Sequence, residues 1–263
     1  MDLAGHQRKN GFKYWEYVLC YVDDVLCISN KLEHTMRGIQ TKFKLKNDKM
    51  EKPEVYLGAE LSSMDNEQGI ECWAMSSDKY CAAMVKNIED SLKKKGLRLP
   101  TKCNLPIRHG YKPDMDCTDK LKADGLQWYQ DMIGSLRWAV ELGRVDILLE
   151  VALMSNHLSL MREGNLKQVF NIMGYLKTHK KICLLFYCWY PTVDKRWFKN
   201  YDWFDFYQDA KEATPPNIPE ERGHGVIVTC FVETNHGENL KYRKSQTGVL
   251  IFINKAPIHW YSK

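Results

Sequence analysis

The chain has 263 residues, enough for one large or two small domains with a real core, and with 44% of them hydrophobic it is ordinary globular material rather than a fibrous or membrane composition. A net charge of +5 is too small to demand a polyanionic partner. No run approaches the roughly 20 apolar residues of a membrane span, and the polar N-terminus is no signal peptide, so the expected setting is intracellular, in cytoplasm or nucleus, without a membrane partner. Nine scattered cysteines without a Cys-x-x-Cys pair suit reduced thiols better than a disulfide scaffold or a zinc site.

In chain order, the polar stretch up to Glu16 carries no assigned function. Tyr17 to Val22 and Val25 to Ile28 are β-branched or aromatic runs that predict two buried strands of a hairpin, with Asp23 and Asp24 at its turn. A turn lets neighbouring carboxylates lean to one side, where a hard divalent cation such as Mg2+ suits them; a bare Asp-Asp pair is more often only a turn. Leu32 to Phe43 carries Leu32, Met36, Ile39 and Phe43 at amphipathic helical spacing. Glu54 to Ser62 reads as a short strand interrupted by Gly58, which suggests a bulge or a close backbone approach, and Gly69 to Met75 is its candidate partner. Ser77 or Asp78 can cap a helix carrying Tyr80, Met84, Ile88 and Leu92, with Lys93, Lys94 and Lys95 in its last turn before Gly96.

Thr101 to Asp124 holds Pro106, Gly110 and Pro113 among polar residues and reads as a linker. Helical periodicity then returns over Leu126–Leu142, Val145–Met161 and Leu166–Lys177, with breaks near Gly143 and Gly164. Lys181 to Tyr190 predicts a strand. The aromatic-rich segment after it reads as compact surface structure that buries its rings, with base stacking as the alternative. Ala213 to Pro219 is a boundary, and Gly225–Val232, Gly248–Ile253 and Ile258–Tyr261 predict three antiparallel strands around a turn at Asn254-Lys255-Ala256-Pro257. The whole is an α+β pattern. Basic clusters, among them Lys93 to Lys95, either hold phosphates or are solvated helix ends.

Tyr21-Val22-Asp23-Asp24 resembles the Tyr-x-Asp-Asp box of reverse transcriptases, in the form found in copia-type retrotransposon Pol polyproteins. Tyr56-Leu57-Gly58 resembles the primer grip, Tyr129 to Trp138 the Tyr-x-x-x-Ile-Gly-Ser-Leu segment, and Arg144-Val145-Asp146-Ile147 the Arg-Pro-Asp-Ile segment with valine for proline. Tyr175-Leu176-Lys177-Thr178 is similar to Tyr-Leu-Lys-Gly-Thr without the glycine. Near the end, Arg243-Lys244-Ser245-Gln246-Thr247-Gly248 resembles the Arg-x-Ser-x-Thr-Gly box of the ribonuclease H domain, and Ile258 to Lys263 its third strand. These likenesses run in register along nearly the whole chain.

The resemblance implies a partial reverse-transcriptase palm over 1–76, a helical thumb and connection over 77–190, a linker over 191–222 and a truncated ribonuclease H-like domain over 223–263. It implies nucleotidyl transfer by a two-metal Mg2+ site with Asp23 and Asp24 as catalytic metal ligands. It further implies nucleic-acid contacts from Tyr21, Val22, Tyr56, Leu57, Gly58, Lys93, Lys94 and Lys95. The implied partners are an RNA template, a DNA primer, a dNTP and the remaining Pol polyprotein. Only 22 residues precede Asp23, so the earlier catalytic Asp of the family is expected to be missing and the isolated chain inactive. Glu233 stands at the first ribonuclease H Asp position, one methylene longer, and ribonuclease H activity is not expected. The alternative is a non-catalytic nucleic-acid-binding remnant of a degenerate element.

Overall fold

The computed structural model describes residues 5–7, 13–22, 24–29, 31–44, 50–192, 194, 196, 204–210, 216, 225–235, 237, 239, 241 and 243–263. The architecture is α+β, with helices and small antiparallel sheets. The chain forms two compact units, one of Met1–Pro53 with Tyr190–Val226 and a larger one of Glu54–Trp189 with Ile227–Lys263.

The smaller unit contains the paired strands β1 (Gly5–Gln7) and β2 (Lys13–Trp15), the hairpin β3 (Tyr17–Tyr21) and β4 (Asp24–Ile28), and helix α1 (Leu32–Gln40). The hairpin forms where its β-branched runs predict it, with α1 packed against β4, but the described residues of its strands are exposed or half-buried rather than buried. Helix α1 stops at Gln40, so Phe43 falls beyond it and is exposed, while Met36 is buried.

In the larger unit, β5 (Val55–Tyr56), β6 (Ala59–Asp65) and β7 (Glu71–Ser76) run as a meander. Helix α2 (Asp78–Lys94) follows. Helices α3 (Ala123–Glu141), α4 (Leu148–Ser155) and α5 (Glu163–Thr178) pack with it around Met84, Leu92, Tyr129, Met132, Leu136, Met154, Ile172 and Met173, and β8 (Cys183–Phe186) returns to pair with β7. Helices α2 and α3 end alike. Gly96 N–H bonds to Lys93 C=O and Leu97 N–H to Leu92 C=O, as Gly143 N–H does to Val140 C=O and Arg144 N–H to Ala139 C=O. These paired bonds satisfy carbonyls that a helix end otherwise leaves open.

Two sequence expectations fail here for a physical reason. Gly164 is no break: it is the second residue of α5, and a Cβ there would lie 2.0 Å from Asp116 Oδ2. The carboxylate fills the space that any other side chain would take. Nor is Thr101–Asp124 a slack linker. Tyr111 Oη donates to Asp116 Oδ2 (2.6 Å), Asn165 Nδ2 donates to Tyr111 Oη (2.9 Å), and Gly164 N–H donates to Thr118 Oγ1 (2.8 Å), so the segment is strapped onto the start of α5. Helix α4 is also shorter than its apolar stripe predicts and ends at Ser155.

A short helix α6 (Phe204–Tyr207) belongs to the smaller unit. Contrary to the expectation of ring burial, Trp189, Tyr190, Phe204, Phe206 and Tyr207 are exposed; the other aromatics of that segment lie outside the described residues.

Strands β9 (Val228–Thr234), β10 (Thr247–Ile253) and β11 (Ala256–Ser262) form an antiparallel sheet in the order β11-β10-β9. The turn is tighter than predicted, because Ala256 and Pro257 already belong to β11, and Pro257 sits where the register shifts against β10. Trp260 Nε1 donates to Val140 C=O at the end of α3 (2.9 Å), and Asn254 Nδ2 donates to Cys188 C=O (2.7 Å) while its Oδ1 accepts from Ile227 N–H (2.9 Å). These bonds hold the sheet to the helical body. Among the described residues no helix is long and apolar enough to cross a membrane.

Candidate functional site

The β3–β4 hairpin closes with Tyr21 opposite Asp24, and Val22 lies in its turn. Residues directly opposite share a face, so Tyr21 and Asp24 project to the same side. Asp24 is therefore the first residue of β4 rather than part of the turn, and it is exposed. Asp23 lies outside the described residues. Val22 is 94% exposed with φ of 53°, in the left-handed region that a β-branched residue rarely occupies. A two-residue hairpin turn matches the strand twist only with positive φ, and the sequence supplies valine where glycine or asparagine is usual. The strain sits at the tip.

The base of the hairpin holds a residue that the sequence reading passed over. Glu16 is buried, and its carboxylate accepts hydrogen bonds from Ser29 Oγ and from Thr35 Oγ1 (2.6 Å). It thereby joins the end of β4 to the first turn of α1. Burial and the Glu16 charge together push the Cys27 thiol up. Glu16 precedes Tyr17, at the end of the hairpin opposite Asp24, so five residue steps of roughly 3.3 Å each separate it from Tyr21, the partner of Asp24. It is a structural carboxylate and not a ligand shared with Asp24. Its one sequence signal is a lone acid between two aromatic-rich strands.

Tyr56, Leu57 and Gly58 lie in the larger unit, in the turn between β5 and β6. This too is a correction: Gly58 is not a bulge within one strand but the second residue of a two-residue turn closed by Tyr56 and Ala59. Leu57 has φ of 55° and Gly58 of 89°. The Gly58 backbone faces Leu142, whose Cδ1 would lie 3.7 Å from an added Cβ, so the turn rests against the end of α3. Tyr56, Leu57 and Gly58 thus form a tight turn that, like the tip of the first hairpin, holds a non-glycine residue at positive φ.

Lys93, Lys94 and Lys95 form the exposed last turn and cap of α2. Lys95 Nζ stands 4.1 Å from the centroid of the Trp128 ring, a cation–π contact that positions it, while Lys93 and Lys94 extend into solvent. Glu233 is exposed on β9, directly opposite Gly248 of β10.

Among the described residues no three His, Cys, Asp or Glu side chains gather as a metal-binding group. Asp24 is the one described carboxylate at the hairpin tip, and a hard cation such as Mg2+ takes six oxygen donors, several of them from carboxylates or phosphates. Asp24 alone does not make up a Mg2+ site among the described residues.

The best-organised polar groups lie elsewhere. Arg144 is wholly buried and makes a two-pronged bond to Asp146, Nε to Oδ1 at 2.9 Å and Nη2 to Oδ2 at 2.8 Å, whereas its buried Nη1 has no nitrogen or oxygen partner among the described residues. This ion pair fixes the turn between α3 and α4. Burial and Asp146 both raise the Glu150 carboxyl. The sequence signal was a charged pair two residues apart inside an apolar run. No family model, curated protein or solved structure matches the chain.

Proposed function

We propose that the chain is part of a copia-type retrotransposon Pol polyprotein, comprising the later palm and the thumb of a reverse transcriptase and the first strands of a ribonuclease H-like domain. The observation that carries this reading is the placement of Tyr21, Val22 and Asp24 at the tip of an antiparallel hairpin, with Val22 in the left-handed region. Tyr56 to Gly58 support it with a second strained turn, and the exposed lysines of α2 supply charge for a nucleic-acid backbone. In this reading the partners are an RNA template, a DNA primer and a dNTP, and Asp23 and Asp24 are two of the carboxylates of a Mg2+ site that other Pol residues complete.

A primer-extension assay with the 263-residue chain, an RNA template and Mg2+ tests it together with duplex binding. The expected result is salt-dependent binding of the primer–template without extension. Metal-dependent extension that Asp23→Asn abolishes would show that the chain completes the site itself. Failure to bind the duplex even at low salt would remove the reading.

The exposed lysine trio also favours a second reading, a nucleic-acid-binding remnant without catalysis. In that case a complementing Pol segment restores no extension, whereas Lys93→Glu with Lys94→Glu still weakens binding.

A further inference from the structure

We propose, resting on the nucleic-acid reading, that the strap from Arg98 to Lys112 is a preformed track for one phosphodiester backbone, distinct from the lysines that end α2.

Residues 98–112 form neither helix nor strand, so their backbone groups must find partners elsewhere. A ladder of side-chain amides on α5 supplies them. Asn165, Gln168 and Asn171 recur at every third residue of that helix and are 1%, 4% and 6% exposed. Asn171 Nδ2 donates to Leu105 C=O and to Pro106 C=O, both at 2.9 Å, and Gln168 Oε1 accepts from Arg108 N–H (3.2 Å), while Asn165 holds Tyr111. At the other end the Pro100 carbonyl lies against Gly174, 2.7 Å from where a Cβ would stand. The strap therefore runs antiparallel to α5, from Gly174 back to Asn165, and is fixed at successive turns over roughly 14 Å of helix.

Charge is sorted along the same segment. Between Asp90 and Asp114 the sequence carries seven lysines and arginines and no acid. Arg98, Lys102, Arg108 and Lys112 lie on the strap and are exposed, and among the described residues none of the four has an ion-pair partner. The acids that follow are engaged within the fold, Asp114 beside His157 and Asp116 with Tyr111 and Thr118. Like charges without partners repel one another, so these cations do nothing for the fold that carries them. A nucleic-acid strand removes that repulsion. Its phosphates follow one another at roughly 3.4 Å of rise, so about four of them lie along the strap. An acidic protein would need carboxylates set in a row of that length, whereas every nucleic-acid strand has one. Because the amide ladder already immobilises the strap, binding costs it little further ordering.

Binding of a labelled primer–template duplex by the full 263-residue chain, followed against salt concentration, is the test. The combined variant Arg98→Gln, Lys102→Gln, Arg108→Gln and Lys112→Gln is expected to bind about tenfold or more weakly at low salt, with the slope of log K on log salt reduced by about 3 to 4. It should melt no lower than the parent, since it relieves repulsion. Gln168→Ala keeps every charge and frees Arg108 N–H, so it weakens binding by a smaller factor, about threefold, at an unchanged salt slope. A combined variant that binds like the parent, while Lys93→Glu with Lys94→Glu weakens binding, would overturn the track and leave the nucleic-acid reading standing. No binding by the parent chain would remove both. A lowered melting midpoint would assign the four cations to the fold, and displacement of the duplex by polyglutamate as readily as by unlabelled duplex would assign the strap to an acidic protein; either result overturns the proposal. Gln168→Ala binding like the parent would show that the track is not preformed.

Discussion

At the scale of single residues, the backbone at Val22, Leu57 and Gly58 is the most informative feature. Left-handed φ costs an L-residue roughly 1–2 kcal/mol, so Val22→Asn is expected to slow amide exchange across β3 and β4, by up to about tenfold. Faster exchange would mean that the turn is not strained by its φ. Gly58→Ala tests the other hairpin. The added methyl meets Leu142 at ordinary van der Waals distance, so the expected destabilisation of about 1 kcal/mol is a backbone effect and not a clash. Leu142→Ala in the same background should therefore fail to rescue it. None of these φ values is visible in the sequence, where Val22 reads as the end of a strand and Gly58 as a bulge. Period-2 patterning locates strands but is silent about which pair of residues forms the tip.

At the scale of elements, the loop strapped over α5 gives the chain a titratable joint. Burial pushes the Asp116 carboxyl up, but hydrogen bonds from Thr118 and Tyr111 and the Arg162 charge outweigh it, and the net direction is down. A lowered carboxyl stabilises the fold above its unfolded value of about 3.9, and that stability is lost as pH falls through the folded value. His157 lies 3.5 Å from Asp114; burial lowers its pKa more than the nearby Asp114 and Asp116 raise it. Its contribution is complete above about pH 6.5 and falls away as pH drops toward the lowered folded value. Urea titrations should thus show stability declining below pH 6.5, with His157→Gln removing the first part of the decline and Asp116→Asn the part below pH 4. The Arg144–Asp146 pair makes a different demand. Asp146→Ala strands a buried guanidinium and is expected to cost about 3 kcal/mol, whereas Arg144→Met with Asp146→Leu costs less than that single change. A double variant less stable than Asp146→Ala alone would refute this. Helices α2, α3 and α5 were legible because apolar residues recur on one face and glycines follow two of them. The strap was not, because proline and polar residues look alike in a slack loop and in one held by Tyr111, Asp116 and Thr118.

At the scale of the whole molecule, the larger unit draws its sheet β9–β11 from the end of the chain and its core from the middle. Trp260 and Asn254 tie the two together. Trp260→Phe, which deletes one bond to Val140, is expected to lower stability by about 1 kcal/mol and to shift helix and sheet unfolding together. Separate transitions in amide exchange for α3 and β10 would show that they are independent. Antiparallel strands at the end of the chain were readable from alternation, but their attachment to α3 was not, since a ring nitrogen bonding to a distant carbonyl leaves no local pattern.

Gly164 finally bears on how such a sequence can drift. Every single-nucleotide change at the first two positions of a glycine codon introduces a side chain or a stop, and at this position the first carbon of any side chain lands on the Asp116 carboxylate. Gly134, also within a helix, has open space around it, and alanine there should add about 0.5–1 kcal/mol. A saturation library selected for folding should therefore empty at codon 164 and fill at codon 134. The two glycines are indistinguishable in composition and opposite in tolerance.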